Sequence, residues 1–292
     1  MQIQITNLGK TYGSFQAMSG VTLTIQKGIF GLLGPNGAGK STLMQILSTL
    51  QPATEGSVAI GDYKLGRDDQ AIRAMLGYLP QEFGLYNKLS GYEYLDYVAM
   101  MKGMTNSRKR KEAVVSMLEQ VNMSEKAKKR VGSYSGGMKQ RIGIAQALLG
   151  SPQLIIVDEP TAGLDLEERI RFRHVLRDLS TDRIVILSTH IVADIENACN
   201  QLAMMKQGRI VYQGTQESLL DQVKGRVWTG NVGESQFDAI KQQMKVISAR
   251  KAAYGQEIRV LSDIKPFEGA EPARIGLEDA YVNVIRGEEL QP

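Results

Sequence analysis

A single cysteine in 292 residues, Cys199, excludes an internal disulfide and any site built on several thiolates, and leaves packing as a small helix residue for its role. Long apolar runs are missing too. No stretch approaches the ~20 residues needed to cross a bilayer, and the N-terminus has neither the basic nor the apolar region of a signal peptide, so the chain is expected in the cytosol. Without a secretion signal, the sequon Asn122-Met123-Ser124 is a chance match. Charge of neither sign dominates: 35 Lys and Arg stand against 31 Asp and Glu. The small surplus gathers in Arg108-Lys109-Arg110-Lys111 and Lys126-Ala127-Lys128-Lys129-Arg130, clusters of the kind that touch nucleic acid or anionic lipid. Both lie in helix-like, partly apolar segments where such charges form the solvated face, and no nucleic-acid role is expected. With 42% hydrophobic and 23% charged residues the composition is that of an ordinary globular protein. Its length predicts one large domain and a small appendage.

What is present is concentrated in short motifs. Gly34-Pro35-Asn36-Gly37-Ala38-Gly39-Lys40-Ser41-Thr42 fits the phosphate-loop pattern G-x-x-x-x-G-K-[ST] in full. An apolar run, Ile29-Phe30-Gly31-Leu32-Leu33, precedes it and a helix-like segment, Leu43-Met44-Gln45-Ile46-Leu47, follows, which is the strand-loop-helix context the motif requires. Backbone N–H groups of such a loop converge on phosphates, and the helix adds four unsatisfied donors and the positive end of its dipole. Lys40 then supplies a mobile charge for the β- and γ-phosphates, and the Ser41 hydroxyl is placed to ligate Mg²⁺. A dinucleotide fingerprint fits worse, because its third glycine would fall on Thr42.

Leu154-Ile155-Ile156-Val157 reads as a buried parallel strand ending in Asp158-Glu159-Pro160. Ligands of doubly wound sheets bind at the carboxyl ends of strands, so Asp158 is a candidate for Mg²⁺ and Glu159 for the general base. A second run, Ile184-Val185-Ile186-Leu187, ends in Ser188-Thr189-His190 and brings an imidazole to the same edge. The other histidine, His174, lies in a polar helix pattern and reads as surface. Tyr134-Ser135-Gly136-Gly137-Met138 opens a further helix and makes a second anion-binding end. One triphosphate does not need two such ends in one subunit. A head-to-tail dimer explains the pair, with each ATP between the phosphate loop of one subunit and the Ser-Gly-Gly turn of the other.

These motifs together resemble the ATP-binding cassette of an ABC transporter. Gly34–Thr42 matches the family's Walker A motif, Tyr134–Met138 resembles its LSGGQ signature, and Leu154–Glu159 matches Walker B. Leu79-Pro80-Gln81-Glu82 looks like the Q-loop, Ala162-Gly163-Leu164-Asp165 like the D-loop, His190 like the switch histidine, and Tyr12 like the aromatic that stacks on adenine. The resemblance implies an α/β P-loop NTPase cassette over residues 1–217, with a helical subdomain at roughly 82–150 and a small α+β appendage over 218–292. It implies ATP and Mg²⁺ as cofactors, contacts to the nucleotide from Gln81, Ser135, Gly136, Gly137, Met138 and Asp165, and Ser41, Gln81 and Asp158 around the metal. Glu159 and His190 are its implied catalytic residues. Two departures stand out: Tyr134 replaces the signature's leucine and Met138 its glutamine, changes expected to adjust the dimer contact.

Five of eleven tyrosines fall between residues 78 and 97 (Tyr78, Tyr86, Tyr92, Tyr94, Tyr97), a density typical of protein-binding surfaces. In the resembling family this region receives a coupling helix from a membrane-spanning permease. Glu82–Tyr86 is expected at that contact, and Tyr94 and Tyr97 in the core. Leu277-Glu278-Asp279-Ala280-Tyr281 resembles the tail helix of drug- and antibiotic-export cassettes and favours export. The reading is therefore the ATP-hydrolysing subunit of a transporter, a homodimer or paired with a second cassette, peripheral at the inner face of the membrane. The competing reading, an ABC-type ATPase acting on ribosomes or DNA, predicts two cassettes in one chain or a long coiled coil before the signature; here one cassette is present and Lys40 and Ser135 lie 95 positions apart. An inactive binding module is opposed by Lys40, Asp158, Glu159 and His190 occurring together.

Overall fold

A computed structural model describes residues 1–161, 165–252 and 255–287, apart from the side chains of Leu166 and Leu179. Ala162, Gly163 and Leu164, three of the four residues likened to the D-loop, lie outside the described residues. The chain divides into two units, Met1–Ile210 and Val211–Pro292.

The first unit opens with β1 (Ile3–Tyr12) and β2 (Phe15–Ile25), an antiparallel pair in which Tyr12 faces Phe15 across the turn. Along the start of β1, buried Ile3 and Ile5 alternate with exposed Gln4 and Thr6, the period-2 pattern of a half-buried strand. Next come β3 (Gly28–Leu33), α1 (Lys40–Leu47), β4 (Glu55–Ile60), β5 (Tyr63–Lys64), α2 (Asp69–Met75) and β6 (Leu76–Leu79). Three helices follow, α3 (Gly91–Met101), α4 (Ser107–Gln120) and α5 (Gly136–Leu148), within the span assigned to a helical subdomain. The chain then returns through β7 (Leu154–Asp158), α6 (Leu166–Leu179), β8 (Ile184–Thr189), α7 (Val192–Glu196) and β9 (Gln201–Lys206), and the boundary between the units falls within β10 (Arg209–Thr215). The strands make an antiparallel sheet, β2-β1-β4-β5, and a second sheet, β10-β9-β3-β8-β7-β6, whose pairings from β9 to β6 are parallel.

Strand β7 shows why its sequence is uninterrupted by polar residues. Leu154 and Ile156 join the core that contains β1, β2 and α1, whereas Ile155 and Val157 point the other way into the core of α3, α4 and α5. Both faces are buried, so no alternation survives. The helices begin where side-chain oxygens can cap them: Ser90 forms a capping box with Glu93, and Asn106, Ser135 and Asp165 accept from the third helical N–H. Each cap contributes about 1 kcal/mol.

The second unit contains α8 (Gln216–Asp221), β11 (Val227–Val232), α9 (Glu234–Gln243), β12 (Lys245–Lys251), β13 (Gln256–Leu261), β14 (Glu271–Pro272) and α10 (Leu277–Ile285). Its antiparallel sheet runs β12-β13-β11-β14 over a small core of Val232, Ile240, Ile258 and Val260. Helix α10 is tied to β13 through buried Asp279, which accepts from Arg259 Nε and Nη2 at 2.6 Å each and from the Gly276 N–H at 2.7 Å.

Candidate functional site

The phosphate loop connects β3 to α1 as its sequence predicts. Gly39 takes a φ of 99°, a left-handed conformation in which most side chains are strained, and α1 starts at the next residue without a side-chain cap. A cavity of about 320 Å³ lies over this helix start, lined by Phe15, Ala17, Asn36–Thr42, Gln81 and Glu159. Lys40 is almost fully buried, its Nζ donating to the carbonyls of Gly34 (2.8 Å) and Pro35 (3.2 Å). Burial lowers its pKa, against the opposing pull of Glu159 and Asp158.

Glu159 sits between two cationic or potentially cationic partners. Its Oε1 is 3.6 Å from Lys40 Nζ and its Oε2 is 3.0 Å from His190 Nδ1. The residue has a φ of 50°, unusual for a side chain of this kind, and its N–H donates to Ser188 O at 2.9 Å, so β8 holds the turn after β7 in place. The geometry thus unites Lys40, Glu159 and His190 as the sequence predicts. Beneath them, buried Asp194 accepts from Thr161 Oγ1 at 2.6 Å and from Thr189 Oγ1 at 3.4 Å, linking the segment after Glu159 to the residue before His190. Nothing in the sequence marks Asp194 except its place four residues after His190.

Asp158 is buried, with Oδ1 lacking a hydrogen-bond partner. Burial is the largest influence on its carboxyl and raises the pKa, while the neighbouring Ser188 and Ser41 hydroxyls pull it down. The phenol of Tyr78 is pushed up to about 12 by burial and by this carboxylate. An unsatisfied carboxylate oxygen beside a hydroxyl is a donor set suited to a hard divalent cation. Among the described residues no three His, Cys, Asp or Glu side chains cluster as a metal cage. Mg²⁺ fits such a place, since it binds through one or two protein oxygens plus phosphates and water.

The Ser-Gly-Gly turn lies elsewhere. Ser135 and Gly136 are exposed, Gly137 and Met138 half-buried, and none of them lines the cavity over the phosphate loop. Ser135 Oγ accepts from the Met138 N–H at 3.3 Å and caps α5. Gly136, with Lys139 and Gln140, lines a separate cavity of about 530 Å³ that also includes Gln81, so Gln81 borders both cavities. Asp165 caps α6, accepting from the Glu168 N–H at 2.9 Å. Tyr134, one of the two departures from the signature, is buried within the core of α3, α4 and α5, and its hydroxyl donates to Lys126 O at 2.8 Å. Its aromatic ring is too apolar to remain at the surface once α3 and α5 offer a core.

The sequence pattern of the family described as "ABC transporter" matches residues 18–162. The linearmycin resistance ATP-binding protein LnrL of Bacillus subtilis is 36% identical over 225 residues, covering 76% of this chain and 72% of that protein. The Nod factor export ATP-binding protein I of a Rhizobium species is 34% identical, over 75% of this chain and 73% of its own length. This chain belongs to the ABC transporter family. The dimeric ATP-binding cassette MJ0796 in a post-hydrolysis state bound to ADP and Pi superposes with a TM-score of 0.67 at 27% identity, covering 73% of this chain and 98% of that one. The fold is that of an ABC cassette, and the chain is the ATP-binding, ATP-hydrolysing subunit of an ABC transporter; the ribosome or DNA reading is not favoured.

Within this ABC cassette the aromatic residues fall differently from the sequence expectation. Tyr12 does not line the phosphate cavity; its hydroxyl donates to Gln51 Oε1 at 2.6 Å, and Lys10 Nζ lies 5.0 Å from its ring centre. Its cross-strand partner Phe15, 66% exposed, does line the cavity, although no sequence motif singles it out. Tyr94 is core, as expected. Tyr97 is exposed instead, and with Leu85, Tyr86 and Leu89 it lines a cavity of about 590 Å³. Tyr86 and Tyr97 meet edge to face at 5.6 Å. No helix among the described residues is long and apolar enough to cross a membrane.

Proposed function

We propose that two cassettes close head to tail around two Mg-ATP and that hydrolysis reopens them, driving a membrane-spanning permease that exports its substrate. The observation that carries this reading is the position of Glu159 beside the phosphate loop, with one carboxylate oxygen toward Lys40 and the other toward His190. On binding, phosphate oxygens compete with Glu159 for Lys40 Nζ, and the carboxylate is released to accept a proton from water. His190, with Nδ1 3.0 Å from Oε2, keeps the carboxylate aimed from the end of β8. Backbone N–H groups of Gly34, Asn36, Gly37, Ala38 and Gly39 would surround the phosphates, with Pro35, which has no N–H, fixing the bend of the loop and Thr42 at the helix start. Ser41, Asp158 and Gln81 would hold Mg²⁺, which neutralises charge on the β- and γ-phosphates. Tyr12 and Phe15 offer ring faces to the base.

The exposed Ser135 and Gly136, with half-buried Gly137 and Met138 and with Asp165, would complete the site of the facing subunit. This explains why a second anion-binding turn stands away from the phosphate cavity. The exposed Tyr86 and Tyr97 suit a short amphipathic helix of the permease, which would hold the cassette at the inner face of the membrane. The names of the relatives in linearmycin resistance and Nod factor export, together with Leu277–Tyr281, support export. Sedimentation with and without Mg-ATP tests the shared site. Glu159→Gln is expected to become a stable dimer in ATP and Lys40→Ala to stay monomeric; a monomeric Glu159→Gln protein at saturating ATP would reject the mechanism.

A further inference from the structure

Helix α7 carries a carboxylate that no step of the ATP chemistry above uses. Asp194 does not line the phosphate cavity, yet it is buried, and packing alone would be better served by an apolar side chain, since a buried carboxylate is costly until hydrogen bonds satisfy it. Two hydroxyls do so, and both converge on one oxygen: Oδ2 accepts from Thr161 Oγ1 at 2.6 Å and from Thr189 Oγ1 at 3.4 Å. Thr161 and Thr189 are buried as well, so water does not compete for these bonds. Thr161 stands two residues after Glu159, and Thr189 directly precedes His190. A single oxygen therefore spans the two turns that carry the carboxylate and the imidazole. The Thr189 hydroxyl also accepts from the Ile191 N–H at 3.0 Å, which fixes the chain on the far side of His190. The helix supplying the carboxylate is itself pinned: Ile195 is fully buried against β3, where a β-carbon on Gly31 would come within 2.6 Å of its Cδ1. Asp194 thus gathers the segments beyond β7 and β8 onto a helix seated on the strand that leads to the phosphate loop.

We infer that Asp194 is a positioning residue for ATP hydrolysis: by holding Thr161 and Thr189 together it sets how His190 meets Glu159, and through that contact the aim of the base at water. The inference rests on the reading of Glu159 as the base given above. A side chain that only stabilised the fold would change the melting temperature and leave the meeting of the two catalytic groups as it was. The phosphate loop keeps its own bonds from Lys40 to the Gly34 and Pro35 carbonyls, so loss of the bridge is expected to lower turnover and spare ATP affinity.

The chain has two histidines, so the ring resonances of His190 can be followed by NMR in the full protein with His174 as an internal reference. In the wild-type background Glu159→Gln should shift the His190 resonances, because the oxygen 3.0 Å from Nδ1 loses its charge. In Asp194→Ala that response is expected to shrink by about twofold or more, with His174 unmoved. Thr161→Val and Thr189→Val should each shrink it, and the double valine variant should add little to either single, since all three break one bridge. Thr161→Ser and Thr189→Ser keep the hydroxyls and should keep the response. In steady-state kinetics Asp194→Ala should lower kcat by about tenfold and leave the KM for ATP unchanged. A full His190 response in Asp194→Ala, valine effects that simply add, or a loss of rate carried by KM overturns the inference. If Asp194→Ala does not fold, the valine and serine variants of Thr161 and Thr189 carry the same test: a response that survives both valines, or is lost equally in both serines, overturns it. Turnover of Glu159→Gln separates the two readings. Wild-type turnover there removes Glu159 as the base and leaves the bridge standing on the resonances, whereas lost turnover with an undiminished His190 response in Asp194→Ala removes the bridge alone.

Discussion

Helices α1 and α5 both begin in glycine-containing turns, yet they are finished differently. At α1 the capping position is Gly39 in a left-handed conformation with no side chain to accept from the helix, so the donors of the first turn face a cavity lined with polar loop residues. At α5 the cap is Ser135, whose hydroxyl already accepts from the Met138 N–H, and the turn is exposed. The first end depends on a ligand to satisfy it. The second is self-sufficient and presents its dipole outward, as suits a surface that meets its phosphate only when another subunit arrives. Buried Lys40, Asp158 and Glu159 gather at the first end, whereas the Ser-Gly-Gly turn itself carries no charged residue.

The largest test of this contrast is Glu159→Gln. Loss of the positioned base should cut ATP turnover by ~10²–10⁴-fold while ATP affinity is retained, read as steady-state ATPase beside nucleotide binding. Wild-type turnover would take Glu159 out of the role and blur the difference between the ends. Next in size is the matched pair Lys40→Ala and Ser135→Ala. Removing the ammonium should weaken ATP binding to the single subunit by about tenfold or more, since a charge-assisted bond is lost. Removing the hydroxyl should leave that affinity alone and raise the protein concentration at which ATPase appears. If dilute Ser135→Ala binds ATP as poorly as Lys40→Ala, the two ends are not functionally separate.

A smaller effect tests whether the second unit stands apart from both ends. Asp279→Asn leaves Arg259 without its carboxylate and should destabilise the second unit by about 2 kcal/mol, discounted from a fully buried pair because Arg259 is partly exposed. Exchange in β11 and β13 should quicken, and the ATP affinity of the single subunit should not move. The smallest effect concerns Cys199, buried and pushed well above the ordinary thiol pKa of 9.0 by burial. The folded chain keeps this proton to higher pH than the unfolded chain, so stability falls as pH rises past about 9. Cys199, expected in a helix, lies in the segment between α7 and β9; a thiol reagent at pH 8 should modify it only after denaturant is added, and rapid reaction of the native chain would show that this segment opens easily.

Much of the catalytic end was legible because its elements are local. The loop Gly34–Thr42, the unbroken run before Asp158 and the run before His190 each carry their signal within ten residues, and the helix at Leu277–Ile285 shows the same directness. What stayed hidden depends on partners distant in sequence. Tyr134 turns inward because α3 supplies a glycine to receive it. Phe15 reaches the phosphate cavity because β1 and β2 fold it back beside Tyr12. Tyr97 is exposed although its neighbour Tyr94 is core, a difference that only the helix's packing decides. Strand β12 carries little strand signal, because its sequence, Lys245 to Lys251, begins and ends in lysine and carries Arg250, and four of its seven residues are exposed. Asp194 is legible only once Thr161 and Thr189 are seen to converge on it.

Strand β7 belongs to two cores at once and ends in the two carboxylates. Warming or mild denaturant that loosens either core shifts the strand's side chains on that face, and Asp158 and Glu159 move with it before the fold as a whole gives way. Enzymatic rate is therefore expected to fall on loosening of either core before circular dichroism changes.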